Sequence, residues 1–169
     1  MKTLLMTTAT LLFAATAFGQ YNSPPADTSV TIGGKKISIT YHAPSMHGRK
    51  IFGGLEPYGK VWRAGANEAT ALHTDVDLQI KSLTVPKGDY TLFIALDPKQ
   101  WQLVINKQTG QWGLEYHKEQ DLGRVPLDMS KPSAPIETYK ITLSSADSHS
   151  GKLQFEWETT VAAVPFTVK

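Results

Sequence analysis

Arg63, Asn67 and Glu68 bring a guanidinium, an amide and a carboxylate into one short stretch, with Gly65 as a hinge among them. A guanidinium donates in a fixed fork, an amide both donates and accepts, and a carboxylate only accepts. Together they suit a polar or anionic ligand held by charge-assisted hydrogen bonds. The same residues also suit an architectural role, with Arg63 and Glu68 paired across a corner and Asn67 in a turn position it tolerates well. Tyr58 and Trp62 precede the trio, and Trp112 and Tyr116 recur later. Each of these rings offers either a face for stacking on a sugar or an anchor for a core or flap.

Asp121 and Arg124 form a second charged pair. Glu68 and Asp121 are carboxylates in the two compositionally unusual segments, and they would serve as acid and base if the later segment closed over the earlier one. No nucleophile elbow, phosphate loop, HExxH or dinucleotide fingerprint occurs. His73, Asp75 and Asp77 alternate along one strand face, yet same-face neighbours splay about 7 Å apart and read more simply as a solvent face. His42 and His47 are separated by Pro44 and a turn. No metal and no cofactor is expected.

The chemistry is concentrated in residues 48–70, where Gly48, Gly53, Gly54, Gly59 and Gly65 alternate with Phe52, Tyr58 and Trp62. Such crowding marks a binding loop or an awkward corner of the fold. The flanking sequence must position it. Ile37, Ile39 and Tyr41 alternate with polar residues, and Leu72, Thr74, Val76, Leu78 and Ile80 do so over a longer run, which predicts strands with one buried face. Leu83–Val85, a Pro86-Lys87-Gly88-Asp89 turn and Tyr90–Leu96 read as a strand-turn-strand unit. Its second arm is apolar on both faces, as in a central or covered strand.

Trp101 to Ile105, then segments around Ile141, Phe155 and Val164, continue the pattern, with Trp101 and Trp157 assigned to the core. No helical stripe and no internal repeat is visible. The expectation is all-β: an antiparallel β-sandwich, jelly-roll-like, in a single domain, with an open barrel as the alternative. Residues 106–136 stand apart as about thirty positions with little alternation, which predicts a functional or covering flap.

Lys2, an apolar run from Leu4 to Phe18 and Ala17-Phe18-Gly19 predict a signal peptide over residues 1–19, leaving residues 20–169 as the domain. That run is too short to span a bilayer, and no later one is apolar enough. Cys 0 excludes disulfides and a lipid-bearing cysteine, so an exported, periplasmic or extracellular protein stabilised by its core is expected. The 17 basic and 15 acidic residues are interspersed, which argues against a nucleic-acid partner.

Several pieces together carry a family resemblance: Ser23-Pro24; Tyr41 with Pro44; Gly48-Arg49; Ile51-Phe52-Gly53; Pro57-Tyr58-Gly59; Trp62-Arg63; and Gly65-Ala66-Asn67-Glu68-Ala69-Thr70. Pro86-Lys87-Gly88 with Tyr90, Trp101 with Asn106, and Asp121 with Arg124 extend it. With these the chain resembles an exported bacterial family, domain of unknown function 2911. That resemblance implies a signal peptide, a β-rich single domain and no agreed activity. His42-Ala43 departs from the Ser-Arg more usual before the proline, so an arginine at that strand end is not implied as essential.

The expected function is a secreted β-sandwich protein binding a polar small molecule or glycan in the cell envelope. Tyr58, Trp62, Arg63, Asn67, Glu68, Trp112, Asp121 and Arg124 would form its site, and the oligomeric state is left open. The alternatives are an envelope hydrolase using Glu68 and Asp121, or a structural or assembly protein in which the 48–70 block is a folding corner.

Overall fold

The computed structural model describes residues 22–169, and the expected signal peptide lies outside them. Alternation decides the first elements. β1 (Pro25–Ile32) and β2 (Lys35–His42) form a hairpin whose register runs from Pro25 opposite His42 to Ile32 opposite Lys35. Ile37, Ile39 and Tyr41 of β2 are buried, as their period-two spacing predicts.

The remaining strands are β3 (Val61–Trp62), β4 (Thr70–Thr74), β5 (Leu78–Ile80), β6 (Leu83–Val85), β7 (Gly88–Ala95), β8 (Gln102–Asn106), β9 (Asp121–Pro126), β10 (Asp128–Ser130), β11 (Ile136–Ser145), β12 (Ser150–Glu158) and β13 (Thr160–Val168). One 3₁₀ turn, Lys118–Gln120, precedes β9. The first sheet runs β1-β2-β4-β7-β8-β9, with β3 also on β7. The second runs β11-β12-β13-β5-β6, with β10 also on β13. Every pairing between named strands is antiparallel. The two sheets do not close into a barrel, and the architecture is a β-sandwich.

Two elements differ from the alternation read in sequence. The run from Leu72 to Lys81 is two strands rather than one. The chain leaves the first sheet after Thr74, crosses at Asp75–Asp77 and enters the second as β5. Thr74 Oγ1 donates to the Val76 carbonyl at 2.6 Å, and the Asp77 carboxylate accepts the Lys87 amide at 2.8 Å, so this corner satisfies its own polar groups. Burial keeps its period of two on both sides of the crossing, which hid the break. For the same reason β6 and β7 are not a hairpin, because the turn between them returns the chain to the first sheet. Residues 106–136 are not one flap either, since β9 and β10 occupy their second half and only the stretch between β8 and β9 lies over the sheet.

The core lies between the inner faces, with Leu92, Ile94, Leu103 and Ile105 of the first sheet facing a second sheet that buries Ile141, Phe155, Trp157 and Val164. Burying each such side chain stabilises the fold by about 1.5–3 kcal/mol. One end of the sandwich, where β2 ends and β4 begins, is filled with rings. Phe52 meets Trp101 edge-on at 4.4 Å between centroids, and Trp62 stacks on Trp157 at 5.8 Å and 22°. Tyr139 lies 5.0 Å from Trp62 and 5.7 Å from Tyr41. The 48–70 block is therefore first the plug of this end. No helix among the described residues is long and apolar enough to cross a membrane.

Candidate functional site

The block owes its shape to tethers from both sheets. After β2, the Pro44 carbonyl accepts the Tyr139 amide at 2.8 Å, and the Glu137 carboxylate accepts the His47 amide at 2.8 Å. Both carboxylate oxygens of Glu158, the last residue of β12, accept backbone amides, from Ile51 at 3.1 Å and Phe52 at 3.2 Å. Arg49 donates from Nε to the Met46 carbonyl and from Nη2 to that of Ser45. Gly53 has φ 77, and a Cβ there would meet the Tyr58 ring at 2.7 Å, so this turn requires glycine.

β3 and β4 occupy one strand position beside β7, with Trp62 opposite Ile94 and Thr70 opposite Leu92. Between them the chain makes an excursion that is held at its base. Trp62 Nε1 donates to the Gly65 carbonyl at 3.2 Å, Thr70 Oγ1 to the Ala64 carbonyl at 2.8 Å, and the Ala66 amide to the His42 carbonyl at 3.2 Å. Ala64 and Asn67 take left-handed backbone, with φ 51 and 59. Such conformations in non-glycine residues persist where surrounding contacts impose them.

Beneath this excursion lies a recess of about 240 Å³, lined by Ser45, Arg49, Leu55, Glu56, Arg63 and Asn67, with Trp157 at its base. Arg63 is among the lining residues, and its Nε is buried and hydrogen-bonds to nothing among the described residues. Burial pushes the Glu56 carboxyl above its ordinary range, and the nearby positive charge of Arg63 opposes that rise without a hydrogen bond joining the two. The recess thus holds a carboxyl and two guanidinium groups, one of them with a buried unsatisfied donor.

The residues after β8 dock on this excursion through backbone. The Gly113 amide donates to the Asn67 carbonyl at 3.1 Å, the Ala69 amide to the Gln111 carbonyl at 3.3 Å, and Glu68 bridges Trp112. A Cβ at Gly113 would stand 2.2 Å from Arg63 Cδ and 2.5 Å from the Asn67 carbonyl oxygen, so only glycine permits the approach. The flap does meet the corner.

The structure divides the predicted site residues. Arg63 and Asn67 share the recess. Glu68 turns away, its Oε2 3.2 Å from His42 Nδ1, at a separate hollow lined by Asp27, Thr40 and Tyr41. The alternative Arg63–Glu68 pairing is therefore replaced by His42 with Glu68. Trp62 is buried in the ring cluster and offers no face for stacking. Tyr58 and Trp112 are exposed, and Tyr58 lies on Gly53.

Asp121 and Arg124 belong to a closed network. Asp121 accepts from Asn106 at 3.0 Å, Tyr116 at 2.7 Å and Arg124 at 3.0 Å, while Arg124 also donates to the Tyr116 hydroxyl. Burial and then the Asp121 bond push Tyr116 up to about 12. Tyr116 in turn packs its ring on Phe93 at 4.9 Å, which covers the outer face of β7 and explains why that strand is apolar on both sides. Glu68 and Asp121 thus have different partners, His42 for the one and Asn106, Tyr116 and Arg124 for the other.

Asp75 and Asp89 engage both ring nitrogens of His73, at 3.1 and 2.7 Å, whereas Asp77 serves the Lys87 amide. Among the described residues no group of three or more His, Cys, Asp or Glu is placed to hold a metal.

Sequence reasoning missed Glu56 and Arg49 as lining residues and Glu158 as the clamp. The first two lie inside the conspicuous block and were obscured by its glycines and rings. Glu158 gave a weaker signal, a carboxylate at the end of a buried alternating strand.

A family model described as "Protein of unknown function (DUF2911)" matches residues 23–166. No curated protein and no solved structure matches the chain.

Proposed function

The chain belongs to the DUF2911 family of proteins of unknown function, and we propose that it binds a small polar or anionic molecule in the recess around Arg63. The observation that carries this reading is the buried, unpartnered Nε of Arg63. Leaving a buried donor unmet costs about 1–3 kcal/mol, and more for a charged group. A carboxylate, phosphate or hydroxyl oxygen entering the recess would meet the Arg63 guanidinium, and a turn of that side chain toward it would remove the penalty. Asn67 and Ser45 supply further polar contacts at the lining, and Leu55 an apolar one. Asp121 and Arg124 contribute by tying down the flap. The recess is smaller than the roughly 300–1,000 Å³ of drug-sized sites, so a glycan would enter by a single ring at most.

Thermal-shift and calorimetric titration with monosaccharides, phosphate and small carboxylates tests the assignment. Arg63→Lys should weaken the ligand found by tenfold or more, and unchanged affinity would sink the assignment.

The second reading is architectural, and the Glu158 clamp with the ring cluster favours it: the block closes the sandwich and holds no ligand. In that case the whole panel fails to bind, and Arg63→Ala lowers the melting temperature substantially.

We also propose export, supported by the apolar leader before the domain. Sequencing the N-terminus of protein made in a bacterial host should find Gln20 first, and an intact Met1 would overturn export by cleavage.

A further inference from the structure

Arg63 and Glu56 face the same recess, feel each other's charge and do not hydrogen-bond to each other. An arginine and a carboxylate that only needed neutralising would close into a bidentate pair, which is the strong geometry for these groups. Here the pair stands open, with Arg63 Nε buried and unmet. A molecule carrying only a carboxylate would satisfy Arg63 and crowd Glu56 with like charge. One carrying only an ammonium would do the reverse. A molecule carrying both charges satisfies both.

We infer that the recess takes a small zwitterion, a free amino acid by chemical class, with its carboxylate on Arg63 and its ammonium on Glu56. This rests on the binding reading above and narrows it. The size agrees, since about 240 Å³ holds a molecule below drug size. Leu55, an exposed hydrophobic residue at the lining, and the Trp157 base give a short aliphatic side chain somewhere to rest.

Calorimetric titration of the full mature chain with three ligands of one side chain tests the inference: leucine, 4-methylpentanoate, which lacks the ammonium, and 3-methylbutylamine, which lacks the carboxylate. Leucine should bind at least tenfold more tightly than either analogue. Glu56→Gln should remove the preference for leucine, weakening leucine and tightening 4-methylpentanoate as the like charge beside it is lost, and Arg63→Lys should weaken both by tenfold or more. If 4-methylpentanoate equals leucine on the unaltered protein, the zwitterion is wrong and the Arg63 site stands. If glycine, serine, leucine and both analogues all fail to bind, the zwitterion is again overturned. The binding reading falls with it only when phosphate and monosaccharides fail as well. The comparison on unaltered protein decides the matter even if a variant does not fold.

Discussion

A single carboxylate, that of Glu158, receives two backbone amides from positions 107 and 106 residues earlier. Hydrogen bonds to charged groups contribute about 1.5–3 kcal/mol each, so Glu158→Ala, which removes two of them, should lower stability by about 3–6 kcal/mol in urea unfolding. His73 behaves differently because it is exposed. Its pKa is raised, first by the Asp89 bond and then by Asp75. Its contribution to stability is therefore fully present below the ordinary imidazole value of 6.5 and is lost as pH rises through the raised one. His73→Asn should flatten the fall in melting temperature above neutrality, and an NMR titration of the ring checks the direction directly. At this scale sequence reading singled out Arg63 and Asn67, whose types announce themselves within a glycine-rich stretch and which line one recess. It passed over Glu56 because a lone carboxylate beside a proline looks ordinary until burial and a facing arginine single it out. It placed Trp62 among ligand contacts because a ring's neighbours, not its spacing, decide whether it faces ligand or core.

Among the elements, the strand position shared by β3 and β4 is what makes a recess available, since the chain leaves the sheet between two short pairings on β7. The flap after β8 reaches the excursion only because position 113 has no side chain. Gly113→Ala places a Cβ against Arg63 and the Asn67 carbonyl. Overpacking of this kind costs about 1–3 kcal/mol, and faster hydrogen exchange at the Ala69 and Gly113 amides should accompany it. If those amides remain as protected as in the native protein, the docking described here is wrong. Strand periodicity was legible wherever one face is buried, as in β2, and the double-sided burial of β7 was legible too. The crossing after Thr74 was not, because side chains go on alternating inward and outward while the backbone changes its hydrogen-bonding partners. β9 showed only as weak alternation around Leu122 to Leu127, because Asp121 and Arg124 both bond Tyr116 and the strand carries charge on a partly covered face.

For the molecule as a whole, the ring cluster joins the sheets at the end that the 48–70 block closes. Phe52 touches Trp62, Trp101 and Trp157. Phe52→Ala should cost about 3–5 kcal/mol and shift the emission of these buried tryptophans in the native state. A native spectrum that does not move would mean that the cluster is less tightly coupled than its geometry implies. The tethers on the block also set an order of events. Hairpins such as β1-β2 and β12-β13 close short loops, whereas the clamp from Glu158 to Ile51 and Phe52 must bring together two distant parts of the chain, and such closures come late because their entropy is lost before the contact rewards it. Those hairpins should therefore form before the recess, and a ligand of that recess would favour only the finished molecule over every partly folded one.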